Sequence, residues 1–223
     1  VGTAVTTSKL SFTDSQTGDT SIIFIHGWNI DKTYWQPQVD YFSKNYRVLT
    51  LDLPGYGKSP VPAGGCSAEE FSKDILQLCS DLSVQNMVLV GHSMSGAIIT
   101  EMATQSPDKI LAMVGIDNFT QYDTGYSEKK KKELAAFFNK IRSDYWNNVK
   151  PFIDTYLTSP STDSAVKNRL YQSMLRPDSV FSVDCLQKID SYSLGKKLKA
   201  LNRPLYLINS SFHPNDTASF RKN

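Results

Sequence analysis

Met87-Val88-Leu89-Val90-Gly91-His92-Ser93-Met94-Ser95-Gly96 is the stretch that decides how this chain is read. A short apolar run leads into a serine held between small residues, and a helix-like run follows from Ala97 to Met102. That order suits a strand, a tight turn and a helix, with Ser93 at the apex of the turn and its hydroxyl exposed. Small residues two before and two after the serine let strand and helix approach closely. Gly91 fills the first place, and Ser95 fills the second, where glycine is usual. A rival frame, Ser93-Met94-Ser95-Gly96-Ala97, centres on Ser95. The apolar strand must end just before the turn, which favours Ser93.

Two further stretches sharpen the pattern. Ser21-Ile22-Ile23-Phe24-Ile25 reads as a buried strand and runs into His26-Gly27-Trp28-Asn29. Tyr46 to Asp52 reads as another strand and leads into Leu53-Pro54-Gly55-Tyr56-Gly57-Lys58-Ser59, a D-x-x-G-x-G-x-S loop when counted from Asp52. With these residues the chain resembles the α/β-hydrolase fold family from about Ser21 onward. The resemblance implies that the backbone N–H groups of Trp28 and Met94 form an oxyanion hole. Acyl transfer needs such donors because charge develops on the carbonyl oxygen, and losing one typically costs about 3 kcal/mol. The His26 side chain is expected to shape its turn, and Asp52 with the nearby glycines to build theirs.

Strand and helix patterns alternate through the first half, which predicts a mostly parallel sheet with helices on both faces. Thr6 to Thr13 reads as an edge strand, Trp35 to Phe42 as part of a short helix, and Leu111 to Ile116 as a strand. Ser67-Ala68-Glu69-Glu70 is a capping-box signature, opening a helix with Phe71, Ile75, Leu78, Cys79 and Leu82 on its apolar face. Alternation then stops. Asn118 to about Ser191 reads as helices rich in aromatics, among them Phe137, Phe138, Tyr145, Trp146, Phe152 and Tyr156. In the family this position carries a cap, so several of these aromatics are expected to line an apolar substrate pocket with Trp28 and Met94. The division expected is a first part of the core over 1–117, a helical cap over 118–191, and a second part of the core over 192–223. That last part holds Leu198 to Leu201 and a strand from Pro204 to Asn209.

Composition sets bounds. A chain of 223 residues holds one well-filled core, and a net charge of +2 points to no special partner. The basic run Lys129 to Lys132 is flanked by Glu128 and Glu133 and reads as a solvated helix face, not a nucleic-acid or membrane site. No apolar run reaches the ~20 residues that span a bilayer. Of the three cysteines, Cys66 and Cys79 flank one helix, roughly 20 Å apart at about 1.5 Å per residue, and so cannot bond each other. A Cys66–Cys185 pair is possible but has no support in the sequence, free thiols are the default expectation, and no metal-ligand spacing occurs. Val1 in place of methionine is consistent with a processed start and a removed export signal. Asn-x-Ser/Thr triplets at Asn118, Asn209 and Asn215 read as chance.

Ser93 needs a histidine to take its proton and a carboxylate to orient that histidine. The resemblance offers two places for the acid. Asp117, after Val114-Gly115-Ile116, sits where a strand delivers a carboxylate to the catalytic rim, and is preferred; Asp216 is the less favoured candidate. His213-Pro214 falls where the family commonly has Asp-Pro, and a direct Ser93–His213 dyad is the weakest option. His26 and His92 are the remaining histidines. The base is therefore expected in a last strand and loop not present in this chain, a difference of roughly 40–50 residues from the fold's usual length. The expected activity is hydrolysis of carboxylic esters of small or medium apolar substrates through an acyl-enzyme, without metal or cofactor. A cofactor-free perhydrolase or C–C hydrolase would use the same residues. A non-catalytic ligand-binding or interaction protein on the same scaffold is the alternative.

Overall fold

The computed structural model describes residues 7–119 and 127–211. Within them six strands form one sheet: β1 (Phe12–Asp14), β2 (Ser21–Ile25), β3 (Arg47–Leu51), β4 (Met87–His92), β5 (Ile110–Ile116) and β6 (Leu205–Ile208). Their order is β1-β3-β2-β4-β5-β6, and only β1 runs antiparallel to its neighbour. Parallel neighbours require crossovers. Helices α1 (Gln36–Phe42), α2 (Ala68–Asp81) and α3 (Ser95–Gln105) lie in the first three.

The two-residue period of each strand sorts its side chains between two cores. Ile23, Ile25, Leu49, Leu51, Met87 and Leu89 face α2 and α3, meeting Phe71, Ile75, Leu78, Ile98 and Met102. Ile22, Phe24, Val48 and Val90 face the other way and meet Trp35, Val39 and Phe42 at α1. Helices thus cover both faces, as expected of an open, mostly parallel sheet. The Ser67 hydroxyl accepts the Glu70 N–H at 3.1 Å and caps α2, so that helix begins where the capping box places it. The helix at Trp35 starts later than expected: Lys32–Trp35 forms a 3-10 turn capped by Asp31, and the α-helix opens at Gln36 with Pro37 in its first turn.

The edge strand differs from its expected span. Among the described residues, which begin at Thr7, only Phe12–Asp14 pairs with β3. Before it, Ser11 N–H donates to the Ser59 hydroxyl at 2.9 Å and Ser11 carbonyl accepts Asp52 N–H at 2.8 Å. The second bond continues the β1–β3 register by one rung, but Ser59 takes the Ser11 N–H and diverts it from the ladder. Leu198 lies not in the sheet but in a short helix.

Between β5 and β6 the described chain is helical: α4 (Glu128–Ser143), α5 (Tyr145–Phe152), α6 (Ser164–Met174), α7 (Ser179–Asp190) and α8 (Leu194–Ala200). The Lys129–Lys132 run lies on α4, where Lys131 pairs with Glu128 at 2.7 Å and Lys130 with Glu133 at 3.9 Å, all well exposed. Among the described residues no helix is long and apolar enough to cross a membrane.

The cysteines correct the free-thiol expectation. Cys66 and Cys185 form a disulfide, with Cα atoms 5.2 Å apart, across 119 residues of sequence; Cys79 is free and buried. The bond exists because α7 docks over the loop that precedes α2. Phe181, one turn before Cys185, covers Gly55 so closely that a Cβ there would lie 2.1 Å from its ring.

Candidate active site

β4 ends at His92, and the chain turns through Ser93 at φ 53° before α3 begins at Ser95. This left-handed conformation is costly for a side chain other than Gly, Asn or Asp, and persists only where the surroundings enforce it. Here three contacts enforce it. Ser93 N–H donates to the Ile116 carbonyl at 2.9 Å, Gly96 N–H donates to the Ser93 carbonyl at 3.0 Å, and Asn118 Nδ2 reaches the carbonyls of Gly91 (2.7 Å) and Ser93 (3.3 Å). Ser93 is left exposed. The small residue at 91 is a steric demand, since a Cβ there would lie 2.7 Å from the Ser95 carbonyl oxygen and 3.0 Å from Ile99. Ser95, the rival, is fully buried in the first turn of α3, and its hydroxyl donates to the His26 carbonyl at 2.5 Å.

That last bond joins the serine turn to the loop after β2. Gly27 makes the approach possible: a Cβ there would meet His92 Nδ1 at 2.6 Å and Ser93 Cβ at 3.2 Å. Among the described residues the backbone N–H groups of Trp28 and Met94 have no hydrogen-bond partner. The direction of the first is fixed indirectly. Gly27 C=O and Trp28 N–H belong to one planar trans peptide unit, so they point in opposite directions. His26 Nδ1–H holds that carbonyl at 2.8 Å, while His26 Nε2 accepts Leu53 N–H at 2.9 Å. The ring therefore needs the neutral Nδ1–H tautomer. Burial pushes its pKa from 6.5 down to about 4, against the pull of the Gly27 carbonyl and the Asp52 charge.

The sign of this shift gives a prediction. Between pH 6.5 and about 4 the unfolded chain binds a proton at His26 that the folded chain refuses, so stability is full above 6.5 and falls as pH drops through that window. Urea unfolding is expected to give a free energy about 2 kcal/mol lower at pH 5 than at pH 8 from this group. A flat profile that His26→Gln leaves unaltered would contradict it. Asp52 adds a loss in the same direction. Burial alone would raise its pKa, but donors from Lys32 Nζ (2.6 Å), Lys32 N (2.9 Å) and Lys58 N (3.0 Å) bring it below the ordinary carboxylate value.

Asp117 follows β5 at φ 46°, is exposed, and accepts Ser210 N–H at 2.6 Å from the chain leaving β6. Its charge reaches His92, whose pKa burial lowers and Asp117 partly restores. His213 and Asp216 lie outside the described residues. Of the aromatics, Phe152 meets the Trp28 indole edge-on at 6.4 Å, Phe137 packs tilted against Phe152 at 5.8 Å, and Phe138 follows at 5.5 Å, itself buried. Trp146, on α5 like Phe152, packs edge-on against Tyr171 at 5.8 Å. Tyr145 makes polar bonds, to Asn29 and to the Met174 carbonyl. Among the described residues no group of three or more His, Cys, Asp or Glu side chains is placed to hold a metal ion.

Two site residues had no signal in the sequence beyond their type. Asn118, apparent only as part of a glycosylation-like triplet, clamps the serine turn, and its backbone pairs reciprocally with the Asn209 side chain at 3.2 and 2.9 Å. Asn29 stands at φ 55°, where Asn is among the few tolerated residues.

Comparisons with known proteins bear on the family and the fold. Among curated proteins, a pimeloyl-[acyl-carrier protein] methyl ester esterase of Legionella pneumophila (strain Corby) is 26% identical over 149 residues, 66% of this chain and 59% of that protein. An (E)-2-((N-methylformamido)methylene)succinate hydrolase of Acinetobacter baylyi is 34% identical over 92 residues, 41% of this chain and 35% of that protein. The chain thus spans about three-fifths of the length of the first of these relatives. Among solved structures, an esterase of Exiguobacterium antarcticum superposes with a TM-score of 0.80 at 19% identity, covering 96% of this chain and 82% of that one. A bromoperoxidase of Bacillus anthracis gives 0.79 at 23% identity, covering 90% and 76%. The model of the alpha/beta hydrolase fold family matches residues 20–212, and the chain belongs to that family.

Proposed function

We propose that the full-length protein is a serine hydrolase that cleaves carboxylic esters of small or medium apolar substrates. Ser93 attacks the acyl carbonyl and the N–H groups of Trp28 and Met94 receive the developing oxyanion. Water then releases the acid from the acyl-enzyme. Asp117 orients the histidine that accepts the Ser93 proton. The α4–α7 helices act as a cap, with Phe137 and Phe152 on the apolar wall beside Trp28 and with Phe138, Tyr145 and Trp146 as further candidates for substrate contact.

The observation that carries this reading is the exposed Ser93 at φ 53° beside two backbone N–H groups with no partner among the described residues. A serine held in strain with unpartnered backbone donors on Met94 and Trp28 fits what acyl transfer requires. The names of the relatives, a methyl ester esterase and a succinate hydrolase, add support from similar chains. The non-catalytic alternative draws on the described histidines, since His26 is fully engaged by the fold and His92 is held against Gly27.

One experiment separates the two. A fluorophosphonate probe, followed by peptide mass mapping, is expected to modify the peptide bearing Ser93, and short-chain p-nitrophenyl esters to be turned over faster than long-chain ones. An unmodified protein with no turnover on either class would establish the non-catalytic reading.

A further inference from the structure

The loop after β2 is held from the α7 side as well as from the sheet. Trp28 Nε1–H donates to the Ser182 carbonyl at 3.0 Å. The Ser182 hydroxyl donates to Asn29 Oδ1 at 2.6 Å, Asn29 Nδ2 donates to the Tyr145 hydroxyl oxygen at 2.5 Å, and the Tyr145 hydroxyl donates to the Met174 carbonyl at 2.8 Å. Each group donates to the next and the chain ends on a backbone acceptor, so every hydrogen in it has one direction. Asn29 and Ser182 are buried, at 1% and 0% exposure, where an unmatched polar group is expensive.

The anchor of this chain is itself immobile. Ser182 lies between Phe181, wedged over Gly55, and Cys185, bonded to Cys66. The same loop makes further bonds to α6 and its end: Tyr34 with Ser173 at 2.9 Å, Thr33 with Arg169 at 3.0 Å, and Asp31 with Arg176 at 3.0 Å. The peptide unit carrying the Trp28 N–H is thus gripped at its carbonyl by His26, and at the indole and the next side chain by α7.

We propose that Ser182 and Asn29 are positioning residues for oxyanion stabilisation. Helix α7 aims the Trp28 N–H through the indole of the same residue and through the amide side chain of the next. The cap then supplies part of the precision of the oxyanion hole in addition to its part in the pocket wall. A donor displaced by a fraction of an ångström loses most of its preferential bond to the transition state while the substrate still binds. This rests on the serine-hydrolase reading above.

The test uses the full-length protein with p-nitrophenyl butyrate as substrate. A trifluoromethyl ketone serves as inhibitor, because its tetrahedral adduct places an oxyanion in the hole. Ser182→Ala removes the hydroxyl and keeps the carbonyl bond to Trp28. Asn29→Gly keeps the left-handed backbone and removes the amide, so one variant remains informative should the other fail to fold. Both are expected to lower kcat and weaken ketone inhibition in parallel, by roughly 10- to 100-fold, with KM changed less than threefold. A wild-type kcat and ketone affinity in the folded variants overturns the proposal, as does a change confined to KM or to the melting temperature. Ser93→Ala assayed alongside isolates the underlying reading. Turnover equal to wild type there rejects the serine-hydrolase mechanism and this inference with it, whereas Ser93-dependent turnover unaffected by Ser182→Ala and Asn29→Gly rejects only the inference.

Discussion

Ser93→Ala in the full-length protein is expected to lower ester turnover by roughly 10⁴-fold or more, with little change in KM and complete loss of fluorophosphonate labelling. The size follows from what the substitution removes. An alanine leaves the turn, the two backbone donors and the apolar wall, so substrate still binds and residual rate over water persists, but no acyl-enzyme forms. Folding should not suffer, because the Ser93 backbone bonds to Ile116 and Gly96 do not involve its side chain. Ser95→Ala is the matched control. It deletes the buried hydroxyl bond to the His26 carbonyl and should cost stability of about 1 kcal/mol while labelling at Ser93 persists. Labelling and turnover retained by Ser93→Ala would remove Ser93 from the mechanism, and their loss in Ser95→Ala alone would transfer the role to the rival serine.

The second large effect concerns the acid. Asp117→Asn is expected to reduce kcat by roughly 10³- to 10⁴-fold, the scale seen when a triad carboxylate becomes an amide and its histidine takes the wrong tautomer. The substitution is conservative for the fold. Asparagine tolerates the φ of 46° at this position and its Oδ1 can still accept the Ser210 N–H that Asp117 holds at 2.6 Å. Its pH–rate profile is the sharper readout, since loss of the carboxylate should move the apparent pKa of the base as well as the plateau. Asp216→Asn is the comparison. If it alone abolishes activity, the acid is Asp216, and Asp117 only ties the end of β5 to the chain after β6.

Much of this arrangement was legible in the sequence because it is local. Met87 to Gly96 specifies strand, turn and helix with its own apolar run and small residues, and Ser67 specifies the start of α2 through one hydroxyl. What escaped depends on how distant pieces meet. β1 is short because the Ser59 hydroxyl takes the Ser11 N–H. The Cys66–Cys185 bond follows from the docking of α7, which no spacing encodes. Asn118 and Asn29 carry no motif; each matters because its amide meets carbonyls or hydroxyls brought in from other segments. The aromatic run showed that an apolar layer was needed over the sheet, but could not separate Phe152, which meets Trp28, from Trp146, which meets Tyr171.

The disulfide also divides the molecule topologically. It closes a covalent ring from Cys66 to Cys185 that contains Ser93, Asp117 and Asn118, whereas Trp28 and Asn29 lie on the tail outside it. Tension applied to the two ends of the chain would run through the tails and across the sulfur bridge, bypassing the ring. The halves of the candidate site therefore stand on opposite sides of a mechanical boundary: one is shielded from load, the other is exposed to it, and the contacts that hold them together, hydrogen bonds and apolar packing, are all noncovalent.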